Sequence, residues 1–297
     1  MKNNISKSLA TLLVLTASIA YGTLSTTIKL AYKAGFTVGE MVFGQIFLAF
    51  LFMFCFALIK DYKFLGSIKP KTILILIGAG SISSLTTIFY NLCLQYISAS
   101  LAIILLFQFT WIGILLDYIF NKVKPSRLRI IALLIILLGT YFALNISYQA
   151  LAVNPLGIIF GLASAFSYSF FIYFSGNLAT NIPIIYKNSI MLSGSLIISL
   201  VFFPPIFLFT PSVIPISFYL YSSYLAVLGM VLPFYFFSKG VPIIGTTSAT
   251  LIGALELPTV LIGATLILGE KIVLHQIIGI CLIILGIFIS TRTKIST

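Results

Sequence analysis

Charge is what this chain of 297 residues has least of: 7% of it is Asp, Glu, Lys or Arg, and five residues are acidic. So few carboxylates leave little from which to build a hydrolytic or metal-dependent site. The one histidine, His275, has no carboxylate cluster to complete a zinc site. A positioned base and nucleophile are equally missing, and so is a Walker phosphate loop. The chain therefore reads as neither an enzyme nor an ATP-driven machine, and it calls for no cofactor. Three cysteines, Cys55, Cys93 and Cys281, lie far apart in apolar stretches without CxxC spacing, which reads as packing.

What the chain has in abundance is apolar surface. It is 60% hydrophobic with a mean hydropathy of +1.19, more than one water-soluble core can bury. No run alternates apolar and polar residues as an outer-membrane barrel strand must, so the spanning elements are helices. A bilayer core takes roughly 20 apolar residues per helical span, and the sparse charges mark off that unit. The expected spans are 8–30, 38–59, 72–93, 98–120, 128–146, 155–176, 188–208, 216–237, 243–268 and 272–291. Lys2, Lys7 and the small-residue Ser18-Ile19-Ala20 resemble a cleaved signal, but the run continues to Ile28, span length rather than signal length.

Orientation follows from the cations. With the N-terminus inside, 14 of the 17 Lys and Arg residues fall on cytoplasmic positions, among them Lys60, Lys122, Arg129, Lys187 and Lys239. Only Lys29, Lys33 and Lys271 fall outside, so both termini are expected in the cytoplasm of an inner-membrane protein. The formal net charge of +12 then belongs beside anionic lipid headgroups, and no nucleic-acid partner is expected.

The halves repeat. Residues 98–122 align without gaps on 247–271, and Leu137–Phe142 on Ile284–Ile289 after a two-residue change of loop length. Five helices per half is an odd number, so the second copy is inserted upside down. The expected fold is an all-α integral membrane protein of ten transmembrane helices in two inverted five-helix repeats, 1–148 and 149–297.

Tyr21-Gly22-Thr23, the stretch from Tyr90 through Leu94, Ser98-Ala99-Ser100 and Ala102, Glu256-Leu257-Pro258, and Leu268-Gly269-Glu270-Lys271 followed by Ile278-Gly279 together resemble the EamA-type drug/metabolite transporters over the whole chain. Gln45 stands where that pattern often has arginine, and Phe109 where it has proline. The resemblance implies a ten-helix carrier with a central cavity lined by its helices 1, 3, 4, 6, 8 and 9, moving amino acids, related metabolites or drugs by alternating access.

Glu256 is the strongest candidate site residue. An ionised carboxyl at mid-span costs on the order of 3 kcal/mol, so such residues usually face a cavity and serve substrate or ion; the bland alternative is a neutral acid holding helices together. Pro258 is expected to kink the helix and free the Ala254 carbonyl beside the carboxyl. Gln108, next to the repeat equivalent of Glu256 (Phe107), is expected to contact substrate, pair with Glu256 or serve as interhelical glue, and Trp111 to wall the cavity or face lipid. Tyr90 with Asn91 at the outer face, and Tyr235 at the inner face, read as opposite gates or as interfacial anchors. Tyr21 and Tyr168 read as mid-depth cavity lining, and Asp117 as a partner of Lys122 or Lys124.

The expected function is a secondary transporter of small metabolites, amino acids or related compounds first, with protons as a possible coupling ion. Uptake of a nucleotide-like cofactor or other metabolite is the alternative within transport. A structural or signalling membrane protein is the alternative outside it.

Overall fold

The computed structural model describes residues 5–97, 99–143, 154–209, 214–269 and 273–292. They fold into helices. α1 (Lys7–Lys33) opens on Ser6, whose hydroxyl accepts the Leu9 N–H at 3.2 Å. α2 (Val38–Ser67) opens on a reciprocal cap: Thr37 N donates to Glu40 Oε2 at 2.7 Å and Glu40 N donates to Thr37 Oγ1 at 3.3 Å. The chain leaves helical geometry at Asp61, just past the expected end of the second span. α3 (Pro70–Tyr96) and α7 (Pro155–Asn177) begin with proline, whose missing N–H costs nothing in a first turn.

The remaining elements are α4 (Ala99–Leu106), α5 (Phe109–Asn121), α6 (Arg127–Ala143), α8 (Ile184–Phe202), α9 (Ile216–Ala226), α10 (Leu232–Ile244), α11 (Thr246–Gly253), α12 (Glu256–Leu268) and α13 (Leu274–Arg292). Among the described residues, nine helices are long and apolar enough to cross a membrane. The expected span 128–146 corresponds to α6, of 17 residues, and its last three residues lie outside the described ones, as does the expected boundary between the halves.

Two expected spans are not continuous. The fourth divides into α4 and α5, the ninth into α11 and α12. At each break the backbone tightens to i→i−3 bonds: Gln108 N donates to Leu105 O and Thr110 N to Phe107 O, while Leu255 N donates to Ile252 O and Leu257 N to Ala254 O. The Ala254 carbonyl is therefore taken rather than free. Pro258 sits in the first turn of α12, where it starts a helix rather than kinking one. A third irregularity joins α9 to α10, a π-helical turn over Val227–Val231. Pro233 has no N–H for the Gly229 carbonyl, and the Leu232 N–H reaches back five residues to Val227.

Close helix crossings rest on glycine. Gly80 of α3 lies against the Met191 carbonyl of α8, and Gly194 of α8 against the Ile77 carbonyl of α3, with Ser195 Oγ donating to Gly80 O at 2.8 Å. α6 and α13 cross at Gly139 and Gly279 in the same manner.

The contacts sort the bundle into two ends. The start of α1, the end of α10, the end of α5 and the start of α11 share one, shown by Gly240 against Ala10 and Thr247 against Asp117. The end of α1, the end of α3, the start of α2 and the end of α8 share the other, shown by Tyr32 against Asn91 and Gly39 against Phe203. Most described cations lie at the first, here called the basic end; Lys29 and Lys33 lie at the opposite one.

Two of the cations counted at cytoplasmic positions are buried within helices. Lys187, 2% exposed, lies in α8 and donates from Nζ to the Ser175 carbonyl at 2.7 Å, capping the final turn of α7. Arg129, 2% exposed, lies in α6 and donates from a terminal guanidinium nitrogen to Ser248 Oγ at 3.2 Å. Asp117 does not serve the loop lysines either. Its Oδ2 accepts the Thr247 N–H at 3.0 Å and the Thr247 hydroxyl at 2.6 Å, and its Oδ1 accepts from Asn121 at 2.8 Å. Of the cysteines, Cys93 is buried as expected of packing, whereas Cys55 and Cys281 are exposed on the apolar outside.

Candidate functional site

The breaks frame a cavity of about 130 Å³ inside the bundle. Its wall comes from α1, α3, α4, α7, the π turn with α10, and α12, the elements the resemblance implied, joined by α2 through Gln45. Glu256 enters as the first residue of α12 and stays partly accessible from the cavity. The break is what lets it enter: the chain turns there without a long side chain on α1, because Gly22 lies against the Glu256 carbonyl and Thr259.

Tyrosines surround the carboxyl. Tyr21 from α1, Tyr90 from α3 and Tyr168 from α7 all lie within its electrostatic reach. Tyr21 and Tyr168 meet edge to face, ring centroids 5.6 Å apart at 88°. Phe109 fixes Tyr168 from behind at 4.7 Å, and Ser169 beside it donates to the Phe109 carbonyl at 3.1 Å, pinning α7 to the break in the fourth span. The Tyr168 hydroxyl is buried facing the Glu256 carboxyl, and Thr86 Oγ1 is buried without a partner. Asn91 lines the cavity with its amide committed, accepting from Tyr32 Oη at 3.1 Å and donating to Thr87 O at 2.8 Å.

Three candidates fall elsewhere. Gln108 donates from Nε2 to the Ile104 carbonyl at 3.0 Å and accepts the Trp111 indole N–H at 2.8 Å. It replaces the backbone donor that the tightened turn withdrew from Ile104, so it mends the break and touches neither Glu256 nor the cavity. Trp111, 36% exposed, is on the outside of the bundle. Tyr235 is not among the lining residues; its ring stands 5.5 Å below the Lys239 ammonium. The lining position at the fourth-span break is Phe107 itself, and the sequence reading also passed over Thr86, Met230 and the structural use of Gln45.

Below the cavity, toward the basic end, the way is shut. α5 packs on α11 with Gly113 against Thr250 and Phe109 against Gly253. A polar network follows. Asp117 holds the first turn of α11, Asn121 donates to Asn177 Oδ1 at 3.2 Å, and Asn177 donates to Thr246 Oγ1 at 3.3 Å. Beneath it lies a polar recess of about 590 Å³ lined by Asp117, Arg129, Asn177 and Thr246 among others. At the opposite end α4 packs on α7, with Leu105 against Gly161, while α12 packs on α1.

A bundle of apolar helices, two of them broken around an internal cavity that holds a carboxyl, defines a multi-pass membrane protein with a solute-sized interior site. The chain belongs to the EamA-like transporter family, whose pattern matches residues 8–145 and again 155–292, within the drug/metabolite transporter superfamily. Tyr21 and Tyr168, the two rings that meet in the cavity, each stand thirteen residues after the start of a match. A solved structure titled "Crystal structure of protein" is similar in fold, with a TM-score of 0.76 and 19% identity over 96% of this chain and 97% of that one. Comparison with curated proteins finds no match.

Proposed function

We propose that the chain is a secondary transporter that moves small amine-bearing metabolites by alternating access through the Glu256 cavity. The observation that carries this reading is one carboxyl placed among tyrosines at the break of a span, above an end closed by α5 and α11. The ten spans form two inverted halves, and the basic end faces the cytoplasm of the inner membrane with both termini. A reporter fused after Thr297 is then active only in the cytoplasm.

In the state described, the basic end is closed and the cavity belongs to the opposite end. Transport requires the converse, with α5 and α11 parting while α4 and α12 meet. Glu256 links the two states to protonation. An arriving ammonium group pairs with the carboxylate and not with the neutral acid, so solute occupancy and protonation of Glu256 are linked. Nucleotide-like solutes find no support here, since the described lining offers no Lys or Arg to meet phosphate.

The test is transport by the full chain in proteoliposomes with and without a proton gradient. Glu256→Gln keeps the shape and hydrogen bonding of the neutral acid but cannot titrate. It is expected to remain monodisperse and to lose gradient-dependent transport. Wild-type gradient dependence in Glu256→Gln, with only Glu256→Ala unstable in detergent, would make the residue interhelical glue and refute the assignment.

A further inference from the structure

The charges of the cavity are one-sided. Glu256 is the charged residue among its described lining, and no Lys, Arg or His joins it. The rest is neutral: the rings of Tyr21, Tyr90 and Phe107, the apolar Leu106 and Met230, and the hydroxyls and amide of Ser83, Thr86 and Gln45. A carboxylate set among ring faces attracts an ammonium group, because the rings favour a cation over their faces and the acid completes a charge-assisted hydrogen bond.

An anionic group on the same small molecule fares badly. It finds no cation among the described lining residues, and in about 130 Å³ it is held close to Glu256, where like charges repel at short range. An unpaired buried carboxylate is among the costliest groups to desolvate. The volume is of the order that holds one six-membered ring. The unpartnered hydroxyl of Thr86 is a donor that a neutral oxygen on the ligand can satisfy.

Building on the transporter reading above, we propose that the cavity takes a small organic ammonium ion with an apolar or aromatic body. Any further oxygen on it is uncharged, as in a hydroxyl, ester or amide. Free amino-acid zwitterions, organic acids and phosphates are discriminated against by the absence of a cation, not by size alone.

Matched pairs separate the classes: tyramine against tyrosine, and phenylalanine amide against phenylalanine, titrated calorimetrically into the purified full chain. The expected result is a Kd at least about tenfold lower for each amine than for its zwitterion. Gln45→Lys places a cation on the cavity wall and is expected to narrow or reverse that ratio. Glu256→Gln, checked for monodispersity, is expected to weaken both amines by about tenfold or more and so covers a failure of Gln45→Lys to fold. Should tyrosine and phenylalanine bind as tightly as the amines, with binding still lost in Glu256→Gln, the substrate class is overturned and the carrier reading stands. Should none of the four bind, or should Glu256→Gln bind all as the wild type does, the cavity is not the transport site and both readings fall.

Discussion

The two broken spans tighten their backbones in the same way, yet they are held differently. Where α5 meets α11 a carboxylate caps a helix, two asparagines extend the contact to α7, and Arg129 reaches Ser248 from α6. At the other end, the residue of α12 that aligns with Asp117 is Leu266, 79% exposed on the outside of the bundle. The same asymmetry holds at the centre, where Glu256 of one half aligns with Phe107 of the other. Duplication supplies the scaffold twice; the residues that break the repeat give it a closed end and a charged site.

The sharpest way to break the comparison is to remove the cap. Asp117→Ala strips the first turn of α11 of its acceptor, a loss of about 1–3 kcal/mol, enough to shift a two-state balance by about 5–150-fold. In a background with Cys55, Cys93 and Cys281 replaced, a cysteine at Thr250 is expected to react with an impermeant thiol reagent at least about fivefold faster once Asp117 is lost. An unchanged rate would mean that the network is not what holds this end shut.

A smaller effect is expected from wedging rather than unlatching. A side chain at Gly113 meets Thr250 directly, so Gly113→Val is expected to cost about 1–3 kcal/mol, read as a lower thermal midpoint in detergent. Gly78 has no neighbour within 4 Å of an added Cβ, and Gly78→Val is expected to stay within about 0.5 kcal/mol of the wild type. Equal losses at both would point to helix propensity rather than to the α5–α11 contact.

Smallest of all is the effect at the mended break. Trp111→Phe removes the indole donor to Gln108 and is expected to cost about 1 kcal/mol or less while leaving solute affinity untouched. Weakened binding at normal stability would return Trp111 to the cavity wall.

Much of this arrangement was legible in one dimension. Charge spacing marked the spans because the bilayer admits few ions, and Glu256 stood out because an acid at mid-span needs a reason. Tyr21 and Tyr168, read as mid-depth lining, line the cavity, and so does Tyr90, for which an outer-face gate or an interfacial anchor was expected. The misreadings share a cause. Lys187 and Arg129 were counted as cations at the cytoplasmic face beside lipid headgroups because charge was the marker for exposure. A cation that finds a helix-end carbonyl or a buried hydroxyl leaves no sign of it in sequence. Asp117 pairs across 130 residues with Thr247, beyond the reach of local spacing. Gln108 and Trp111 satisfy each other across one turn, so polar residues beside the cavity wall need not open into it.

Gly245 joins the cavity wall to the closed end through a single residue. It is the single residue between Ile244, where α10 ends, and Thr246, where α11 begins, and its φ of +82 suits glycine. α10 is 13 residues, about 20 Å long. Upstream it continues into the π turn whose Gly229 and Met230 form cavity wall; downstream, past Gly245, lie the residues that Asp117 grips. One stretch of chain thus runs from the cavity wall to the residues that Asp117 grips, with a single bend, at Gly245, near its far end.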